Sequence, residues 1–114
     1  MNAKIRRDAE RQLEILRKLT KLDPDMTVTQ FQCLLEVALS SGELLNRDVS
    51  HKVGISGPAS LRALDLWGEH GLDNKSPRNF VVREVDPQDR RNRILHLTAT
   101  GEKFLKDLGF GRGA

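Results

Sequence analysis

The sequence has a single cysteine, Cys33, a single tryptophan, Trp67, and no tyrosine. One cysteine excludes an internal disulfide and fits a reducing compartment. No apolar run approaches the length of a membrane span, and no signal-peptide core follows the N-terminus. A cytoplasmic protein is expected. His51, His70 and His96 have no metal-ligand spacing among themselves or with Cys33. The glycine-rich GFGRG stretch neither follows a strand nor opens a helix, so it is no phosphate loop. No nucleophile–base pair is visible either. The expectation is therefore a protein that is not an enzyme and carries no metal or other cofactor.

What is present fits one compact domain of 114 residues, mainly helical. Hydrophobic residues at 38% and charged residues at 31% suit a soluble chain that folds on a core of its own. The net charge of +3 permits a nucleic-acid partner without requiring one. The charge is uneven. Residues 1–22 hold seven basic and three acidic side chains, whereas residues 23–54 hold two and five. Residues 55–96 are nearly balanced at seven and six, but their arginines are grouped. Any basic patch must therefore come from folding.

Hydrophobic periodicity predicts a helix over 3–22, with Ile5, Ala9, Leu13 and Leu16 on one stripe. Asp23-Pro24 ends it. A Thr27-x-x-Gln30 capping box opens a second helix over 28–40, with Phe31, Leu34, Leu35, Ala38 and Leu39 as its buried face. Cys33 lies beside that face and reads as a packed thiol. A short helix over 46–53 leads to Gly54. Ser56 then caps a helix over 57–69, with Pro58 in its first turn and Gly71 at its end. Its buried stripe reads as Leu61, Leu64 and Trp67, leaving Leu66 exposed. Phe80–Val85 alternates as a strand, Asp86–Asn92 is a turn, and 93–97 is the return strand. Thr98 caps a last helix over 99–108, and 109–114 reads as a flexible tail.

Three groups of residues carry the functional expectation. Val49, Ser50, Val53, Gly54 and Ile55 have helix-turn-helix spacing: Gly54 allows the tight turn and Ser50 the close helix crossing. Gly57, Pro58, Ala59 and Ser60 make a small, uncharged start to the second helix, suited to close approach to a DNA groove. Arg62 on the same helix fits a guanine contact or an intrahelical pair with Asp65 or Glu69. Arg90, Arg91 and Arg93 crowd the hairpin tip, where Asp89 is placed to orient a guanidinium. Lys75 and Arg78, in the NKSPRN segment, are further candidate phosphate contacts.

The stretch from Arg47 to Gly101 resembles the winged helix-turn-helix of the MarR family of bacterial transcription regulators. The matching residues are DVSHKVGIS (Asp48–Ser56), Pro58, Arg62, HGL (His70–Leu72) and DRRNRILHLTATG (Asp89–Gly101). The last repeats the family's wing signature, Asp-x-Arg followed by Leu-Thr-x-x-Gly. The resemblance implies a homodimer on a pseudo-palindromic operator, usually repressing transcription. It places the 57–69 helix in the major groove and the 80–97 wing on the flanking minor groove or backbone. It makes Arg62 the helix arginine, Arg91 the wing arginine and Asp89 its orienting partner. Three features depart from the family pattern: Trp67 stands where a leucine is usual, NKSPRN lengthens the approach to the wing, and little chain follows the fifth helix. Helix 3–22 is then expected to carry more of any dimer contact. Many relatives bind small aromatic ligands, but no residue pattern here marks such a pocket. A winged-helix protein-interaction module, and a DNA-binding accessory factor in plasmid or phage replication or partition, use the same fold and stay open as alternatives.

Overall fold

The computed structural model describes residues 1–69, 71 and 76–112. Among them, five helices and one antiparallel hairpin run in the order α1 (Ala3–Leu22), α2 (Val28–Leu39), α3 (Asn46–Val53), α4 (Gly57–Trp67), β1 (Val81–Val85), β2 (Arg93–Leu97) and α5 (Ala99–Leu108). The chain forms two compact units. One is Thr27–Glu102; the other joins Met1–Met26 with the chain from Lys103 onward.

The larger unit is built around Trp67, which is fully buried with Leu34, Leu64, Val49 and Cys33. The Trp67 indole N–H donates to the Gln30 carbonyl at 2.7 Å, and its ring stacks with Phe80 at 6.1 Å. A buried indole needs such a partner for its N–H. The capping box on α2 forms as the sequence predicts. The Thr27 hydroxyl accepts from Gln30 N, and the Gln30 side chain accepts from Thr27 N.

Between α3 and α4, Gly54 takes a left-handed φ of 83°, the geometry expected of the turn glycine. Asn46 Nδ2 donates to the Gly57 carbonyl at 3.1 Å, tying the start of one helix to the start of the next. Ser56 Oγ accepts from Ala59 N and caps α4.

α4 stops at Trp67, earlier than periodicity predicts. Its last carbonyls are taken by the incoming hairpin: Phe80 N donates to Trp67 O at 2.8 Å and Asn79 N to Gly68 O at 3.1 Å. These bonds also delay β1 until Val81. The register of the hairpin pairs Val81 with Leu97 and Val85 with Arg93. Leu95 N donates to Leu44 O at 2.8 Å, so the segment before α3 adds one bond to the outer side of β2.

The Thr-x-x-Gly motif is explained by what surrounds it. Thr98 Oγ1 donates to Asn79 O at 2.7 Å and accepts from Gly101 N at 3.0 Å. A Cβ on Gly101 would lie 2.5 Å from the Phe80 carbonyl oxygen and 2.7 Å from Leu97 Cδ1. The end of the hairpin and the start of α5 approach each other so closely that only glycine fits.

The smaller unit contains α1. Its Ile5–Ala9–Leu13–Leu16 stripe, which periodicity marks as a packing face, is exposed, with Ile5, Leu13 and Leu16 at 56%, 44% and 46%. Leu19 is buried. Lys18 Nζ donates to the Asp107 carbonyl at 2.9 Å and pairs with Glu14, which also meets Arg112 at 3.5 Å. The Lys18 hydrogen bond, with Arg112 and Lys18 charge, holds the Glu14 carboxyl below its ordinary value. The described part of the 109–114 tail makes contacts of its own. Gly109 N and Phe110 N donate to the Lys106 and Leu105 carbonyls, capping α5, and Arg112 reaches Glu14. Gly113 and Ala114 lie outside the described residues.

Candidate nucleic-acid interface

α4 has two chemically distinct faces. Ser60, Ala63, Leu64, Leu66 and Trp67 are buried. Pro58, Ala59, Leu61 and Arg62 are exposed, with Asp65 half-buried on the same side. The sequence-based stripe is corrected by rotation. Leu61 is 40% exposed and Leu66 only 1%, so the buried face runs through Ser60 rather than Leu61. The physical reason is close helix packing. Ser60 faces α2 beside Cys33, where a small side chain lets α4 come near, and its exposure is zero. Ser60, expected to contact DNA, is therefore turned into the core and does not reach a groove. Cys33 is fully buried as expected. Burial pushes its thiol pKa up, opposed by the Ser60 hydroxyl and aided by Glu36.

The wing tip is held by two carboxylates. Asp86 is buried and accepts from Gln88 N at 2.9 Å, shaping the turn. Asp89 accepts from Arg91 N, Arg91 Nε and Arg91 Nη2, each at 3.1 Å. The guanidinium is thus clamped in a bidentate pair while the Arg91 side chain stays 90% exposed. Hydrogen bonds from Arg91 hold the Asp89 carboxyl below its ordinary value, with a smaller contribution from the charge on Arg47. Asp89 in turn raises the Arg91 pKa. Arg93 folds back, its Nη1 donating to the Arg90 and Asn92 carbonyls at 2.8 and 3.2 Å. Arg90 is exposed beside them.

Between α4 and the hairpin lies a groove of about 230 Å³, bordered by Leu61, Arg47, Arg83, Arg91 and Arg93 with Leu45 and Leu95. The sequence reading missed Arg47, Arg83 and Leu61. Arg83 shares its strand face with buried Val81 and pairs across the ladder with buried Leu95. A charge on the inward face of a strand calls for a counter-ion, and that was the legible signal. The counter-ion is Asp65: Arg83 Nη2 donates to Asp65 Oδ1, linking β1 to α4. Asp65 is thus engaged with the wing, not only available to Arg62.

Two remaining candidates stand apart. Arg78 lies over the Trp67 ring at 5.9 Å and its Nε is buried, so part of its side chain is engaged in packing. Lys75 lies outside the described residues.

Helix pair, close-packed α4 and arginine-tipped hairpin together define the architecture. The chain has the winged helix fold of the MarR-family regulators. Solved structures bear this out. MepR of Staphylococcus aureus, a transcription regulator of the multidrug efflux pump MepA, is represented by a mutant matching with a TM-score of 0.65 at 23% identity, over 95% of this chain and 73% of its own. A second S. aureus MepR mutant, bound to oligodeoxyribonucleotide, gives 0.68 at 25% identity over 89% and 67%. The PcaV transcriptional regulator from Streptomyces coelicolor gives 0.62 at 22% identity over 96% and 74%. No family model and no curated protein matches the sequence. The winged helix of this chain therefore rests on three-dimensional likeness and on the wing motif. No helix among the described residues is long and apolar enough to cross a membrane.

Proposed function

We propose that this protein is a sequence-specific regulator of transcription that binds double-stranded DNA and acts as a repressor. α4 enters the major groove through Gly57, Pro58, Ala59 and Arg62. The wing meets the flanking minor groove or backbone through Arg91, supported by Arg90 and Arg93. The observation that carries this reading is the Asp89–Arg91 clamp. It holds an almost fully exposed guanidinium in one geometry at a narrow hairpin tip. A solvated turn gains little from fixing a surface cation. A groove-reading arginine gains because less side-chain freedom is lost on binding. The MepR mutant bound to oligodeoxyribonucleotide supports the same use of the fold.

The exposed stripe of Ile5, Leu13 and Leu16 on α1 supports a homodimer, with a second copy covering it. Repression follows by occupancy of an operator. Leu66, which an exposed position would have made available to a protein partner, is buried.

Selection from random duplex DNA, followed by titration of the winner at several salt concentrations, tests the proposal. A two-fold site with half-sites about one helical turn apart supports a dimeric sequence reader. No enrichment, with only weak binding that fades with salt, reduces the wing to a general phosphate contact.

A further inference from the structure

We infer that Leu61 reads the 5-methyl group of a thymine in each half-site; this rests on the DNA-binding reading of α4 above. Leu61 is the outlier among the leucines of α4. Leu64 and Leu66 are at most 1% exposed, whereas Leu61 is 40% exposed. Its position places it on the outward face with Pro58, Arg62 and Asp65, at helical spacings of three and four. Asp65 is held by Arg83, and Leu61 stands exposed on this face as a branched apolar group beside exposed Arg62.

The surroundings select the partner. Leu61 borders the groove that Arg47 and Arg91 also border, and both arginines are exposed. That positive rim favours a phosphate backbone over an apolar protein surface. Within a major groove, the methyl of thymine is the apolar feature of the base edges. A leucine set against a guanine or cytosine edge would strip water from polar atoms and return no hydrogen bond. Against thymine it covers a methyl, and the apolar contact offsets what desolvation costs. Leu61 thus adds both attraction to thymine and rejection of G·C pairs at one position, next to the base contacted by Arg62.

The test removes the methyl alone. The duplex recovered by selection is remade with deoxyuridine at each thymine in turn, and each version is titrated with the full-length protein and with Leu61→Ala. One thymine per half-site is expected to matter, its loss weakening the unaltered protein about four-fold per half-site. Leu61→Ala is expected to bind the thymine and uracil versions equally, with an unfolding midpoint close to that of the unaltered protein. The inference is overturned if no uracil substitution has an effect, if Leu61→Ala keeps the full sensitivity, or if the recovered half-site has no thymine. In those cases a specific duplex is still bound, and the DNA-binding proposal stands. If no duplex is recovered at all, both fall together.

Discussion

α4 and the wing tip both bear arginines offered to solvent, but they are positioned by different physics. α4 is placed by what lies behind it: Ser60, Ala63, Leu64, Leu66 and Trp67 are all buried. The wing tip is placed by its own backbone and two carboxylates, Asp86 and Asp89, acting over two to three residues. A surface set by a core inherits the shape of the whole unit. A surface set by a turn is nearly autonomous. The Arg83–Asp65 pair ties α4 to the strand that leads to the tip.

The contrast can be broken most severely at the core. Trp67→Ala removes the centre of the packing against α2 and Phe80 and is expected to destabilise by about 3–5 kcal/mol. Urea denaturation followed by circular dichroism measures this. Unchanged stability would show that α4 is not positioned by its buried face. A smaller blow falls on Gly101→Ala, where the added Cβ meets the Phe80 carbonyl oxygen at 2.5 Å. A loss of about 1–3 kcal/mol is expected by the same method, since backbone must move to admit the methyl.

Surface changes should separate the two regions by function. Arg62→Ala is expected to relax discrimination at one base pair per half-site by about 1–3 kcal/mol, read from binding to single-base operator variants. Arg91→Ala should instead weaken all sequences alike and lower the slope of log affinity against log salt by about 1. If Arg91→Ala changed the preferred sequence and Arg62→Ala did not, the roles assigned to helix and wing would be reversed.

The smallest effect is a titration. Because Arg91 depresses the Asp89 pKa, the stabilisation from their pair is fully present above the ordinary aspartate value of 3.8 and is lost as pH falls through the lower folded value. Carboxyl chemical shifts should give Asp89 a midpoint below 3.8, returning toward it in Arg91→Ala. Equal midpoints in the two proteins would mean the clamp is absent in solution.

Much of the wing was legible because its chemistry is local. Asp89, Arg91, the turn between them and the Thr98–Gly101 cap are close in sequence, and short spacings constrain geometry directly. Gly54, Ser56 and the Thr27–Gln30 box were legible for the same reason. The face of α4 was not. Leu61, Leu64 and Trp67 make as good a stripe by spacing as Ser60, Leu64 and Trp67, and hydrophobicity favours the first. A close approach to α2 at Cys33 chooses the second, because a serine fits where a leucine does not. Arg78 shows the same limit from the other side: a loop arginine that reads as a phosphate contact lies over Trp67.

The sequence by itself determined the elements, their order and the wing clamp, because caps, turns and alternation are enforced by neighbours along the chain. Only the tertiary structure decided which side of α4 meets solvent, that Arg83 answers Asp65, and that Leu61 stands outside. Those depend on which distant side chains compete for the same buried space, and the winner is set by volume and by the need to pair every buried charge.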